Sequence, residues 1–409
     1  MRPAVSPSPP ADSLPAPLRT GDRIFLLDLL RGLALLGIFV MNMPSFGGSL
    51  FADRETGVAP FLRDLFIGGK FNAMFALLFG IGFALQFGRM EAAEPARASR
   101  TYLRRLLVLM ALGLLHAIGL WSGDVLLTYA LLGLALLAAR RLSDRTLVAL
   151  VVAGVLYPAY AVYLRPLLLS EDTETRAIAE YRALQASNDL AYGQGSFADA
   201  VRENRRMLGW AYGSPLGQWS MASFYVQMGT PLLLGYLVGR RGWVARADRM
   251  VPAMRRWRRS ALGVGFVASL VFLLAGIDSQ EPTLLSALLN ELQTLGRLGL
   301  MCGYALSLAL LVQDVRWRRR LAPLAAAGRM PLSNYLLQTA MATFVFHGWG
   351  LAQWGRLGTV AQIALAVALF TLVQLPLSVA WLRRFERGPL EALWRRITYG
   401  TGRRPVQAP

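Results

Sequence analysis

Only two histidines occur in this chain, and one of them, His116, is followed eight residues later by Asp124. An imidazole oriented by a carboxylate suits general-base work near neutral pH, because histidine titrates there and the carboxylate decides which ring nitrogen carries the proton. The intervening Trp121-Ser122-Gly123 spells a tight turn, so the spacing can bring the two side chains together. The alternative for His116 is a packing histidine bonded to a backbone carbonyl, and the residues leave both readings open. His347, beside Gly348 and Trp349, suits the headgroup level of a membrane, where polar and aromatic side chains gather. Asn42 falls at the outer end of the first apolar block and Arg297 near the outer end of the eighth, polar groups that are costly inside a membrane unless they serve a function. Asp28 and Arg31, three residues apart, share a helix face and can neutralise each other. That pair reads either as a structural ion pair or as part of a proton path. The single lysine, Lys70 in Gly68-Gly69-Lys70-Phe71-Asn72, reads either as special or as incidental, and glycine runs such as Gly80-Ile81-Gly82 read as packing sites. Metal-ligand spacings, P-loops, nucleophile elbows and Rossmann glycine patterns are absent, so no metal is expected and a soluble-type enzyme site is improbable.

The elements that position these residues are hydrophobic blocks. Of 409 residues, 55% are hydrophobic and 16% charged, too apolar a balance for a soluble domain of this size. The apolar residues come in runs long enough to cross a hydrocarbon core, which takes roughly 20 residues of helix. Strand-like alternation is missing, so the fold class expected is all-α, a polytopic transmembrane helix bundle rather than a barrel. About ten spans are predicted, at residues 24–43, 70–87, 106–122, 125–139, 147–164, 217–239, 260–277, 292–313, 331–347 and 359–381. They divide the chain into a disordered tail (1–23), a membrane half (24–164), an insert (165–216) with one or two surface helices, a second membrane half (217–381) and a basic tail (382–409). The Pro-, Ala- and Ser-rich start lacks the apolar core of a cleavable signal, so the first block reads as an uncleaved anchor. Cys302 lies alone inside an apolar block and cannot form an internal disulfide.

Charge gives the bundle a direction. The tails and loops on one side, 1–23, 88–105, 140–146, 240–259, 314–330 and 382–409, hold 31 of the 43 Lys and Arg residues. The positive-inside rule places that side, with both termini, in the cytoplasm, and the insert on the opposite face. The same rule accounts for the net charge of +19, so no nucleic-acid partner is expected.

Five stretches resemble the YeiB-like family of bacterial membrane proteins, a domain of unknown function. They are LDLLRGLALLGIFVMNM (27–43), GKFNAMFALLFGIGFALQ (69–86), RRLLVLMALGLLHAIGLWSGDVLLTYALLGL (104–134), GRMPLSNYLLQT (328–339) and FERGPLEALWRRITYG (385–400). The family in turn resembles a wider transmembrane acyltransferase group, which includes the lysosomal heparan glucosaminide N-acetyltransferase and the bacterial surface-glycan O-acyltransferases. In that group the first span carries an Arg-Gly pair followed by Asn or His; Arg31-Gly32 and Asn42 fill those places here. No histidine occurs in residues 44–69, so the imidazole function falls to His116. The resemblance implies a bacterial inner-membrane enzyme that moves an acyl group from cytoplasmic acyl-CoA, acetyl-CoA first, to an extracytoplasmic glycan or small-molecule acceptor. His116 would act as base or acyl carrier and Asp124 would orient it. Asn42, Arg297 and His347 would lie on the acceptor side, and Arg31, Arg104, Arg105 and Arg329 would hold the CoA phosphates. A homo-oligomer is compatible with this picture, and a proton-coupled transporter or flippase is the alternative function.

Overall fold

Inside hydrocarbon no water can satisfy backbone N–H and C=O groups, so a spanning segment rich in Leu, Ala and Phe must close its hydrogen bonds on itself as a helix. In a computed structural model, which describes residues 25–48, 57–243, 246, 251–276 and 281–399, the apolar blocks are helical. The expected disordered segment 1–23 lies outside the described residues.

Among the described residues, eight helical stretches are long and apolar enough to cross a membrane. They are α1 (Phe25–Gly47), α2 (Val58–Phe66) running on into α3 (Lys70–Ala93), α4 (Pro95–Gly119), α6 (Asp144–Leu168), α9 (Pro215–Arg240), α10 (Val251–Ala275), α11 (Leu284–Leu311) and the pair α15 (Thr359–Ala368) and α16 (Leu375–Arg384). The last pair is joined by a π-helical turn, Leu369–Gln374. The protein is thus a multi-pass, all-α membrane protein in a lipid bilayer.

Two shorter helices, α5 (Leu126–Ala139) and α14 (Pro331–Phe346), pack among the long ones. Helix α5 leaves the end of α4 through a short turn, and at its far end Arg140 bonds Ser99 near the start of α4, 3.1 Å away. Helix α14 starts where Arg329 reaches the Glu386 carbonyl at 3.2 Å and ends where Gly348 bonds the Tyr192 carbonyl at 2.7 Å. The insert forms two helices, α7 (Glu171–Gly193) and α8 (Phe197–Gly213). Ser196 and Asp199 close a capping box at the start of α8, and the Ser196 hydroxyl and amide hold the Asp199 carboxyl below its usual range.

Boundaries shift where caps override hydropathy. Helix α11 starts eight residues before the predicted 292, because the Thr283 hydroxyl caps it at Ser286 N. Arg297, read from the sequence as near an outer end, is therefore close to the middle of α11. The basic tail is also more ordered than its composition implies: α17 (Pro389–Tyr399) packs on α4 and α14, and the Trp394 indole donates to the Arg105 carbonyl at 2.9 Å. Small α12 (Val315–Arg320) and α13 (Ala322–Gly328) precede α14. Helices α3 and α9 cross closely at Gly80 and Gly235, where a Cβ on either would strike a carbonyl of the other helix. The glycine run is a packing device, as the sequence indicates.

Candidate active site

His116 sits in the last turn of α4, and its carbonyl closes that helix by accepting from Leu120 N and Trp121 N. The chain then turns through Ser122-Gly123 and delivers Asp124 just ahead of α5. One Asp124 oxygen, Oδ2, accepts from Leu127 N at 2.7 Å and caps α5. The other, Oδ1, is 2.7 Å from His116 Nδ1. A carboxylate in that position accepts, so Nδ1 carries the proton and Nε2 presents its lone pair. Nε2 lies 3.0 Å from the hydroxyl of Thr339 on α14, whose one proton is shared between this nitrogen and the Tyr335 carbonyl 3.4 Å away. The turn folds this tightly over α4 because position 113 is glycine: a Cβ there would sit 3.0 Å from Asp124 Oδ2 and 2.5 Å from Leu127 N. Asp124, His116 and Thr339 form one line, with side-chain exposures of 1% for Asp124 and 0% for His116. Chemically the line is a carboxylate, an oriented imidazole and a hydroxyl.

Two further groups brace it. The Tyr335 ring packs 5.1 Å from the His116 ring, and its hydroxyl accepts from Val125 N at 3.4 Å. From the insert, Asn204 donates to the Ile118 carbonyl at 3.2 Å and accepts from Ser122 N at 3.2 Å and from the Tyr192 hydroxyl at 2.8 Å. The turn between His116 and Asp124 is thereby tied to α7 and α8.

Thr339, Tyr335 and Asn204 escape a reading of titratable residues because each arrives from elsewhere in the chain; Thr339 is 223 positions from His116. A signal does exist in α14, where Asn334, Tyr335, Gln338, Thr339 and Thr343 recur at helical spacing in an apolar helix and all are buried. Below Thr339 this face continues as a ladder of amides. Gln338 donates to the Leu35 carbonyl and to Gln374 in the π-helical turn, Gln374 donates to the Asn334 carbonyl, and Asn334 bonds Ser378.

The remaining predicted residues occupy separate places. Asn42 is half-buried, on the α1 face that carries Phe46, whose ring packs 4.5 Å from Trp121. His347 is buried in an aromatic cage, stacked 4.8 Å from Tyr192 and edge-on to Trp354 at 5.6 Å, and its Nδ1 has no hydrogen-bond partner. The cage is linked to the His116 turn through Tyr192 and Asn204. Arg297 does not join this cluster: it bonds Gln227 of α9 at 2.8 Å.

Comparison with known proteins places these residues in a family. The model of a protein of unknown function, DUF418, matches residues 238–401. Over its whole length the chain is similar to uncharacterized protein YxaH of Bacillus subtilis (strain 168), at 29% identity, covering 94% of this chain and 96% of the relative. It is similar to uncharacterized protein YeiB of Escherichia coli (strain K12) at 30% identity, covering 92% of this chain and 96% of the relative. The chain belongs to the YeiB-like DUF418 family. An uncharacterized 39.9 kDa protein in the amylase 3' region of Bacillus acidopullulyticus is similar at 26% identity over 94% of this chain. No solved structure matches.

The DUF418 segment contains Thr339 and the α14 ladder, whereas His116 and Asp124 precede it. In this YeiB-like chain the four expected phosphate-binding arginines have four different surroundings. Arg31 pairs with Asp28 at 2.9 Å. Arg105 lies over the Trp394 ring at 3.7 Å, Arg329 bonds the Glu386 carbonyl, and Arg104 is exposed.

Proposed function

We propose that this YeiB-like protein is a membrane-embedded acyltransferase in which His116 is the general base. The observation that carries the reading is the Asp124–His116–Thr339 line, a buried imidazole with its tautomer fixed and its free nitrogen facing a hydroxyl. An acceptor hydroxyl or amine would take the place that the Thr339 hydroxyl holds at Nε2. As the acceptor attacks the thioester carbonyl of acyl-CoA, its proton passes to Nε2 and the C–S bond breaks when the intermediate collapses. The imidazolium, steadied by Asp124, then returns the proton to the departing thiolate, giving acylated acceptor and free CoA. Such proton transfer contributes roughly 10²–10⁴ in rate. Acetyl-CoA is the first donor to try, because the arginines near one end suit pyrophosphate and that end is the cytoplasmic one by the basic bias. The acceptor side would then face away from the cytoplasm of a bacterial inner membrane.

The test is purified protein with radiolabelled acetyl-CoA, followed for label transfer to membrane extract and for thioester loss. We expect turnover by the parent and none above background for His116→Ala. Equal turnover by both would remove His116 from the chemistry.

One observation favours a second reading, proton-coupled transport. The π-helical turn in the last long span, with Gln374 at its end, is the kind of break that moving helices use. Proton-driven uptake into liposomes that is abolished by Asp124→Asn, without acetyl-CoA turnover, would establish transport instead.

A further inference from the structure

Lys70 and Arg297, the one lysine and the arginine that stands apart from the His116 cluster, are buried cations with, among the described residues, a single carboxylate near them, Asp64, which also serves Arg63. Lys70 is 5% exposed, and its ammonium donates to the Asp64 backbone carbonyl at 2.6 Å. Arg297 is 9% exposed; Nη1 is held by the neutral Gln227 amide, and the buried Nε has no hydrogen-bond partner. The carboxylate of Asp64 is engaged by Arg63 at 2.9 Å. Among the described residues three cations, Arg63, Lys70 and Arg297, thus stand against one carboxylate, and the excess buried positive charge is costly unless an anion completes the site.

The backbone adds to the same charge. The apolar stretch from Val58 to Ala93 is broken between α2 and α3, and Gly69 at the break has φ 71°, a conformation that favours glycine. The break exposes a helix N-terminus inside the stretch; α3 has no side-chain cap, and its first-turn amides of Phe71 and Asn72 meet no acceptor outside the helix among the described residues. A helix N-terminus carries partial positive charge and attracts anions. Arg297 lies directly against it: a Cβ on Gly69 would be 3.0 Å from Arg297 Cδ.

An apolar groove of about 430 Å³ opens beside this turn, lined by Leu33, Leu36, Phe66, Ile67, Tyr304 and Leu308 among others. Tyr304 is two helical turns along α11 from Arg297, on the same face, and its hydroxyl ties α11 to the Phe66 carbonyl at 3.0 Å. Ile67 and Phe71, which flank Gly68, Gly69 and Lys70, both line the groove, and positive charge beside a hydrocarbon-lined groove fits a ligand with a phosphate head and an alkyl chain. We propose that Lys70, Arg297 and the α3 N-terminus bind the phosphate of a membrane lipid whose chain lies in this groove. The site is independent of the acyl-transfer reading.

The experiment measures the thermal midpoint of the full-length protein in detergent with dioctanoyl phosphatidic acid, neutral dioctanoylglycerol or inorganic phosphate. Phosphatidic acid is expected to raise the midpoint by about 3 °C or more, and the other two by much less. In Lys70→Met and Arg297→Gln that shift disappears, while the lipid-free midpoint stays equal to or above the parent's, because buried positive charge in excess of its counter-charge has been removed. A shift that survives both substitutions, or a lower lipid-free midpoint with the shift intact, would make the cations structural and overturn the proposal. Inorganic phosphate matching phosphatidic acid would reassign the site to a soluble anion, and dioctanoylglycerol matching it would leave the phosphate no role. If Arg297→Gln does not fold, Lys70→Met and the parent's preference among the three probes decide.

Discussion

Asp124 uses its two oxygens for two different tasks, one for the tautomer of His116 and one for the first turn of α5. Asparagine can keep the second through its amide oxygen but cannot hold the imidazolium, so Asp124→Asn separates chemistry from folding. We expect acetyl transfer to fall by roughly 10³–10⁴-fold, with the melting midpoint nearly unchanged. Thr339→Val asks what the hydroxyl does. If it only fills the place of the acceptor, turnover in that variant stays within about tenfold of the parent, and this is the outcome we expect. Collapse to the His116→Ala level would make Thr339 an acyl carrier. The His116–Asp124 pair was legible in the sequence because a single turn separates its members. Thr339 was not, since a hydroxyl in an apolar helix announces no partner until the packing of α4 on α14 supplies one. Lys70 stayed undecided for the opposite reason: its rarity in the sequence says nothing about burial, and burial is what makes it a candidate ligand.

At the level of elements, the site depends on helices whose ends are fastened by side chains from far away. The start of α14 is held by Glu391 of α17, whose carboxylate accepts from Leu332 N at 2.7 Å, Ser333 N at 3.1 Å and the Ser333 hydroxyl at 2.5 Å. A carboxylate at a helix N-terminus is favourable for both hydrogen bonding and dipole. Glu391→Ala is therefore expected to cost about 1–2 kcal/mol in denaturant titration in detergent micelles, and to lower turnover because α14 carries Thr339. At the other end of the bundle, Asn204→Ala removes two bonds to the turn between His116 and Asp124 and one to Tyr192, and should cost about 1–3 kcal/mol. Hydropathy located these helices well, because each had to hide its backbone in hydrocarbon. It misplaced the start of α11 by eight residues, because that end is set by the Thr283 cap, whose effect comes from hydrogen bonds rather than from apolarity. The family stretch FERGPLEALWRRITYG thus contains a capping residue that spacing alone did not single out.

Taken as a whole, the molecule has two ends of different character, one rich in arginine and one covered by α7 and α8. Eight helical stretches are apolar and long enough to cross a membrane, and α5 and α14 pack in the same bundle with 14 and 16 residues. At 1.5 Å per residue they are roughly 21 and 24 Å long, a little short of a full hydrocarbon core, which their polar ends and local thinning can accommodate. Parity makes their crossing testable. If α5 crosses, five segments precede the insert, and the insert lies opposite the N-terminus. If α14 crosses, five segments follow the insert, and the C-terminus lies opposite it. We expect a green fluorescent protein fused after Pro409 to fluoresce, and a cysteine introduced as Ser187→Cys in α7 to react with an impermeant maleimide added outside spheroplasts, with Cys302 replaced by Ala. An unreactive insert or a dark fusion would invert the bundle, because Asn204 ties the insert to the end of α4 that carries His116, and the Trp394 indole ties α17 to Arg105 in the first half of α4. Either result would put the His116–Asp124 turn on the wrong face for an external acceptor. The acyl-transfer reading therefore depends on this orientation, whereas the lipid-phosphate site, built on α3 and α11, does not.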